Sequence, residues 1–172
     1  MDKGSFRKGD ITFRKMMHNG LFLEEITGCT DKIIQAAVIC DYAFSPEISF
    51  IHDPLYNSRM EKTIKNGYVF TACESGKIAG YAILYANDYD SKTGFVSRIC
   101  VIPEKQGLKI GRFLMDACVQ KVKESGMHRV RLEVSDTNTN AVLFYKKYGF
   151  VKEEKAHNGS TFMLLQIHQI QE

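Results

Sequence analysis

Three strand-forming runs follow one another between residues 68 and 103, and no helical pattern separates them. YVFTACE and KIAGYAILYA are joined by Ser75-Gly76, a pair typical of hairpin turns, and FVSRICVIP then ends at Pro103. From Ile110 the apolar residues take the spacing of an amphipathic helix. This order predicts a sheet of neighbouring strands with a helix packed on it.

A hairpin and two helices are predicted on the N-terminal side of these strands. Residues 11–26 contain two strand-forming runs around Asn19-Gly20, a strong hairpin signal. Helical spacing over 31–44 predicts a first helix. A second is predicted to begin at Asp53-Pro54 and to end at Asn66-Gly67. The predicted buried faces are Ile33, Ala37, Cys40 and Phe44 in the first helix, and Tyr56, Met60 and Ile64 in the second.

The C-terminal part continues with helix, strand, helix and strand. An apolar stripe follows the helix that begins at Ile110, and Gly126 ends it. RVRLEV, residues 129–134, predicts a strand, residues 138–148 a helix, and residues 160–167 a last strand. The predicted fold class is therefore α/β (α+β), with a central mixed sheet and helices on its faces.

The composition is that of a globular domain. The chain has 172 residues, of which 44% are hydrophobic and 25% charged, and this excludes disorder along the whole chain. No linker rich in Gly and Ser divides it, so we expect a single domain, residues 1–172. The net charge of +3 is too small to demand a nucleic acid, and no apolar run is long enough for a membrane helix. We therefore expect neither nucleic acid nor membrane as a partner.

Cysteine and histidine usage bears on location and metals. The five cysteines are scattered and have no metal-ligand spacing, and the five histidines form no ligand pair. We interpret the cysteines as reduced thiols of a cytoplasmic protein and expect no metal site. The N-terminus also lacks the apolar core of a signal peptide.

The segment ICVIPEKQGLKIGR, residues 99–112, carries the strongest functional signal. A strand ends at a proline, a short loop contains Gly107 and Gly111, and a helix begins at once. Main-chain amides at a helix start lack internal acceptors and carry partial positive charge, so they bind phosphate groups. The spacing of the two glycines fits neither a P-loop nor a dinucleotide fingerprint. The loop also carries three cations, Lys105, Lys109 and Arg112.

Two ordered blocks resemble the GNAT superfamily of acetyl-CoA-dependent N-acetyltransferases. That family has a loop of the form [Q/R]-x-x-G-x-[G/A] after a strand ending in V-x-P, and QGLKIG, residues 106–111, fills the frame. Lys109 stands where the middle glycine usually does. NTNAVLFYKKYGF, residues 138–150, is similar to the family's N-x-x-A-x-x-F-Y-x-x-x-G-F signature. The resemblance spans about residues 20–167 and leaves residues 1–19 as an N-terminal extension.

The resemblance implies a mostly antiparallel, GNAT-like sheet with helices on both faces, and acetyl-CoA as cosubstrate. The strands that end near Val101 and Val134 should diverge and leave an opening for the pantetheine arm. Main-chain groups of Ile99, Cys100 and Val101 would bind that arm, and one amide would polarise the thioester carbonyl. Asn138 would contact CoA. The pyrophosphate would bind amides of the loop residues Gln106, Gly107, Leu108, Lys109, Ile110, Gly111 and Arg112.

The resemblance also implies catalytic groups. Tyr145 matches the family's general acid, which protonates the departing thiolate; a thiol has a pKa near ~8.5 and a tyrosine near ~10. Glu133 is the first candidate for the general base. Each has a structural interpretation as well, Tyr145 as a core residue and Glu133 as the partner of a neighbouring strand. The other candidate bases are Tyr81, Tyr85, Asp88 and Asp90, and loss of the amine proton to water is left open as well.

The leading hypothesis is an enzyme that transfers an acetyl group from acetyl-CoA to a primary amine by direct attack on the thioester. The alternative is an acyl-CoA-binding sensor or interaction protein without turnover, which Lys109 at the glycine position keeps open. The acceptor, a small-molecule or peptide amine, is not specified by the sequence, and a homodimer is also left open. The acidic residues that could meet a cationic amine, or equally form a solvated surface, are Asp41, Glu47, Asp53, Glu153 and Glu154.

Overall fold

A computed structural model describes residues 11–16, 20–26, 54–156 and 159–167, together with Ile33, Ala36, Ile39 and Cys40. The strands in this part of the chain are β1 (Ile11–Met16), β2 (Leu21–Ile26), β3 (Gly67–Glu74), β4 (Lys77–Asp88), β5 (Thr93–Val101), β6 (Arg129–Ser135), β7 (Val151–Lys155) and β8 (Ser160–Gln166). The helices are α1 (Tyr56–Asn66), α2 (Ile110–Glu124) and α3 (Thr139–Tyr148).

The described strands form one mixed sheet in the order β1-β2-β3-β4-β5-β6-β8-β7. Every neighbouring pair is antiparallel except β5 and β6, which run parallel. The predicted mixed, mostly antiparallel sheet is therefore confirmed. The hairpins at residues 11–26 and at Ser75-Gly76 are confirmed too, and the latter turns through positive φ angles of 50° and 78°.

Helices cover both faces of the sheet, as predicted. Along β4, Ala82 and Leu84 belong to one hydrophobic cluster, whereas Tyr81 and Ile83 belong to another. We call the two sides the α2 face and the α1 face. Buried side chains on the α2 face come from α2 and α3 and include Leu114, Cys118, Val122 and Tyr145. Those on the α1 face include Met60 of α1 and the helical residues Ile33, Ala36 and Cys40.

Two glycines let α2 lie close to the sheet. A Cβ at Gly80 would come within 2.8 Å of the Cys100 carbonyl oxygen and 3.3 Å of the Ile110 side chain. A Cβ at Gly94 would lie 2.4 Å from a methyl group of Val122. Because both ends of α2 rest on these positions, the start of the helix is held at a fixed place beside the end of β5.

Three details differ from the sequence prediction. Helix α1 begins at Tyr56, not at Asp53-Pro54, and its second buried position is Thr63, while Ile64 is 37% exposed. Strand β7 was not predicted. Its sequence, VKEEK, is exposed at every position, so it has no apolar alternation to reveal it. The predicted first-helix residues Ala37 and Phe44 lie outside the described residues.

None of the described helices is long and apolar enough to cross a membrane.

Candidate active site

The sheet opens between β5 and β6. Their pairing covers only Thr93–Val96 against Arg129–Leu132, although β5 continues to Val101 and β6 to Ser135. The predicted divergence of these strands is therefore confirmed. We call the point where pairing stops, at Val96 and Leu132, the apex of the opening.

A β-bulge coincides with the apex. On β4, Ile83 pairs with Arg98 and Leu84 with Val96, so Ser97 is the extra residue of β5. A bulge bends its strand and locally shifts the alternation of side chains. Here it accompanies the departure of β5 from β6, and the side chains beyond it, on Ile99 and Val101, pack on the α2 face.

The inner edge of β5 presents main-chain groups to the opening. The amide of Ile102 donates to the carbonyl oxygen of Ala79 on β4, at 2.9 Å. Because successive residues of a strand direct their main-chain groups to opposite sides, those of Ile99 and Val101 point away from β4. Those of Cys100 point toward β4, and its thiol donates to the Cys40 carbonyl oxygen at 3.2 Å. The side-chain amide of Gln106 donates to the Val101 carbonyl oxygen, at 3.2 Å.

The N-terminus of α2 lies directly after this edge. Lys109 is its N-cap and provides no side-chain hydrogen bond, and the first helical turn contains no acidic residue. The amides of Ile110, Gly111 and Arg112 have no acceptor among the described residues, as expected for a helix start. These donors and the helix dipole give the N-terminus of α2 an electrostatic preference for anions.

Glycine stands at positions 107 and 111 of this loop for different physical reasons. Gly107 has a φ of +80° with nothing near its missing Cβ, so it serves the conformation of the turn. Gly111 is helical, and a Cβ there would make only ordinary contact with the Phe144 ring, at 3.6 Å. The protein alone does not require glycine at position 111. Lys109 has a φ of 65°, a left-handed conformation that normally favours the glycine usual in the family.

The three predicted cations are not equivalent. Lys105 forms an ion pair with Glu74 at the end of β3, so its charge is already balanced. Arg112 lies 5.6 Å from the centre of the Tyr148 ring and 4.0 Å from the Asp116 carboxylate. Tyr148 in turn donates to Asp116 at 2.5 Å. Lys109 forms no ion pair within the described part of the chain.

Two predicted site residues belong to helix α3 and its N-cap. The Asn138 side-chain oxygen accepts a hydrogen bond from the Ala141 amide, at 3.1 Å, so Asn138 caps the helix. Tyr145 packs edge to face against Phe144 and Phe150 and is only 8% exposed. Burial raises its pKa, so its hydroxyl stays protonated at neutral pH. That hydroxyl forms no hydrogen bond with a described residue.

Glu133 lies on the other side of the opening. In β6 the buried residues Leu132 and Val134 face α2, so the alternate residue Glu133 extends from the α1 face. Its carboxylate accepts a hydrogen bond from the Ser160 hydroxyl. The structure thus places Tyr145 and Glu133 on opposite faces, on either side of the same gap.

The alternative bases are less well placed. Tyr81 is completely buried, and the Tyr85 hydroxyl forms a hydrogen bond with Thr63 Oγ1, at 2.9 Å. Asp88 pairs with Thr93 in the sheet, three residues or about 10 Å from the apex. Its hydrogen bonds from Ser91 lower its pKa.

A cavity of about 400 Å³ lies on the α1 face, over the segment where β5 and β6 are still paired and before the apex. Arg131 is one of the residues that line this cavity; it forms ion pairs with Glu153 and Glu154, and its guanidinium lies 3.9 Å from the centre of the Phe162 ring. The sequence left these two glutamates open between contact with a cationic amine and a solvated surface; in the structure both are partly exposed and share the one charge of Arg131. Asp41, Glu47 and Asp53 lie outside the described residues. The cavity is lined by Tyr85, Asn87, Asp88, Ser91, Thr93, Phe95, Arg129, Arg131, Glu153, Glu154 and Leu164.

The described side chains form no group of three His, Cys, Asp or Glu that could hold a metal.

Two residues of the site were not predicted. Gly80 allows β4, β5 and α2 to meet, and only its position in an apolar strand could have indicated a close approach. Arg98 is half-buried on β5 just beyond the bulge. No signal in the sequence reveals which face it occupies, because the bulge changes the alternation.

Comparisons with known proteins agree with this architecture. The acetyltransferase (GNAT) family model matches residues 35–150. An uncharacterised N-acetyltransferase of Mycobacterium tuberculosis is 30% identical over 134 residues, which cover 76% of this chain and 82% of that protein. The PaiA N-acetyltransferase of Thermoplasma acidophilum, solved in complex with coenzyme A, superposes with a TM-score of 0.66 at 18% identity. That match covers 84% of this chain and 98% of the other.

A shorter match is to a mycothiol acetyltransferase of Paenarthrobacter aurescens, 41% identical over 59 residues. It covers 34% of this chain and 18% of the relative, so the chain spans less than a fifth of that protein. The family match and the Mycobacterium relative establish the class. The chain belongs to the GNAT family of acetyltransferases.

Proposed function

We propose that this chain transfers an acetyl group from acetyl-CoA to a primary amine, by direct attack of the amine on the thioester. The observation that carries the proposal is the opening between β5 and β6, whose inner edge leads directly to the uncapped start of α2. We propose residues 1–172 as one N-acetyltransferase domain, with residues 1–19 as an extension. A cytoplasmic location remains a prediction.

The opening suits the two parts of CoA in different ways. Main-chain groups of Ile99 and Val101 offer the pantetheine arm the pairing that an added strand would receive. The amides of residues 107–112 offer donors to the pyrophosphate, and the Asn138 side-chain amide, which donates to no described residue, is available to the arm. The small Gly111 is explained by close approach of this ligand, since no protein atom requires it.

Two faces of the sheet supply the two proton transfers. Tyr145 reaches the opening from the α2 face, and its buried, protonated hydroxyl is suited to give a proton to the thiolate. A thiolate held in the same water-poor place is destabilised as well, so the proton transfer remains favourable. Glu133 extends from the α1 face, where we propose that the amine enters, and accepts the amine proton directly or through water.

The alternative of binding without turnover keeps one supporting observation. Lys109 adopts a left-handed conformation, which is strained for a residue other than glycine. Its side chain also adds bulk beside the proposed pyrophosphate site. The main-chain geometry of the loop is nevertheless of the kind that glycine would adopt. Turnover therefore remains our proposal, and measurement of acetyl transfer separates the two.

The test combines binding with a search for the acceptor. Acetyl-CoA should raise the melting temperature of the wild-type protein by mass action, and a panel of amines should be screened for release of the CoA thiol. Gly111→Glu should abolish the thermal shift through steric block and negative charge. Gln120→Glu, which adds the same charge on the exposed side of α2, should keep the shift. A full shift in a folded Gly111→Glu protein would place CoA elsewhere, and binding without thiol release from any amine would favour the sensor.

A further inference from the structure

We propose that Arg98 is a further catalytic group of the acetyl transfer, whose guanidinium holds a positive charge where the CoA thiolate forms. The inference rests on the function proposed above, because it assumes that the thioester lies at the apex of the opening. It assigns a role to a residue that belongs to neither sequence block.

The bulge in β5 gives Arg98 its place. With regular alternation Arg98 would extend to the same side as Val96, which is buried under α2 among apolar side chains. Because Ser97 is the extra residue, Arg98 extends to the α1 face instead, as Cys100 does. It is then the first residue of β5 after the bulge, in the segment that no longer pairs with β6, and it is half-buried rather than in the core.

Arg98 also lies near the proposed proton donor. The groups that act electrostatically on the Tyr145 hydroxyl are Cys118 of α2 and Cys100 and Arg98 of β5, and Arg98 alone among them favours the ionised form. From β6, Glu133 extends on the α1 face and is bound by Ser160. Arg98 therefore brings a positive charge near the place where we propose that the transfer creates a negative one.

The step balances without another reactant. The amine nitrogen forms a bond to the carbonyl carbon, and the carbon–sulfur bond breaks with its electron pair left on sulfur. Tyr145 gives its proton to that sulfur, and the proton lost by the amine nitrogen restores the tyrosine, through Glu133 and water. Arg98 stabilises the negative charge while it resides on sulfur or on the tyrosine oxygen, and is itself unchanged.

The test needs no acceptor, because it follows the thiol of bound CoA. The ultraviolet absorbance of the thiolate is titrated with pH in the CoA complex, and the desulfo-CoA complex is subtracted to remove the signals of the protein. Arg98→Met should raise the pKa of the bound thiol by about one unit relative to wild type. Arg98→Lys, which keeps the charge, should titrate close to wild type. The control Lys123→Met removes a charge at the far end of α2 and should leave the titration unchanged.

The outcomes separate this proposal from the function on which it rests. Equal thiol titration in wild type and Arg98→Met, with CoA bound in both, would overturn the role of Arg98 and leave the function standing. Absence of CoA binding to wild type would overturn both. If Arg98→Met does not fold, Arg98→Gln tests the same loss of charge. A shift in Arg98→Lys as large as in the neutral variant would show that shape, not charge, is responsible.

Discussion

The two sides of the opening present different kinds of chemical group. On the side proposed for CoA, the groups that face the ligand belong to the main chain: the edge of β5 and the first amides of α2. On the α1 face, the side proposed for the acceptor, the cavity before the apex is lined by residues from several strands, among them Arg131. The first kind of site depends on backbone conformation, and the second on the identity of each residue.

This difference bears on which amino-acid substitutions each side of the opening can accept. Lys109 replaces the usual glycine yet keeps a φ of 65°, so the amide remains where the fold requires it. Around Arg131, by contrast, a single substitution releases two carboxylates and a stacked ring at once. We therefore expect acceptor specificity to depend on individual side chains more strongly than binding at the proposed cofactor site does.

The largest effect is expected where the two sides meet, at Tyr145. Tyr145→Phe should lower the rate of acetyl transfer roughly tenfold or more, because the thiolate loses its proton donor while water substitutes only in part. CoA affinity should change little, since the thioester is intact when it binds. The measurement is single-turnover transfer to an acceptor found in the amine screen, beside the dissociation constant of CoA.

Tyr148→Phe is the matched control. It also removes a hydroxyl from α3, here one that donates to Asp116, and it should cost about 1 kcal/mol of stability without slowing transfer. If Tyr145→Phe turns over at the wild-type rate when chemistry is limiting, Tyr145 is a core residue and the proton comes from elsewhere.

The acceptor side should respond to the loss of Arg131. Arg131→Leu leaves Glu153 and Glu154 unbalanced beside the cavity, so the KM for the acceptor should change several-fold while CoA affinity stays constant. The cost in stability should be roughly 1 kcal/mol or less, because these ion pairs are partly exposed. Steady-state kinetics with each substrate varied in turn distinguishes the two constants. A change confined to CoA would reverse our assignment of the two sides.

On the cofactor side, Gly111→Ala should separate the effect on protein stability from the effect on CoA affinity. A methyl group at this position meets only ordinary contact with Phe144, and alanine favours the helix by up to about 1 kcal/mol, so stability should be kept or raised. CoA affinity should nevertheless fall, because the methyl group occupies space that we assign to the pyrophosphate. Thermal unfolding with and without CoA measures both. Unchanged affinity would mean that the ligand does not approach Gly111.

Sequence patterns predicted the elements whose residues alternate between core and solvent. The stripe of α2, the hairpin at Ser75-Gly76 and the last strand all carry such alternation. β7 could not be predicted because VKEEK is exposed throughout, and its strand conformation is set only by pairing with β8. The start of α1 was misjudged because Asp53-Pro54 is a local helix signal, whereas the helix begins where Tyr56 and Met60 can pack on the sheet.

Some parts of the candidate site could likewise be predicted from the sequence, and others could not. The loop around Gly107 and the block around Tyr145 were recognisable because backbone geometry constrains residue type there. The ion pair of Lys105 with Glu74 and the position of Arg98 were not, since one joins residues 31 apart and the other depends on a bulge. Such contacts arise from the assembled sheet, and no local pattern encodes them.

The smallest effect is expected at Lys109, and it bears directly on how far a main-chain site depends on side chains. Lys109→Gly removes the strain of a left-handed residue, which is worth about 1–2 kcal/mol. Glycine also raises the conformational entropy of the unfolded chain, which lowers stability by about 0.5–1 kcal/mol. The free energy of unfolding should therefore rise by about 0.5–1 kcal/mol in total. Lys92, with a φ of 54° in the turn before β5, is the matched control, and Lys92→Gly should stabilise the protein similarly. If the amides alone bind the pyrophosphate, both variants should bind CoA as wild type does at moderate salt. Weaker binding in Lys109→Gly alone, and a smaller dependence of that binding on salt, would show that the Lys109 ammonium takes part and that this side too relies on a side chain.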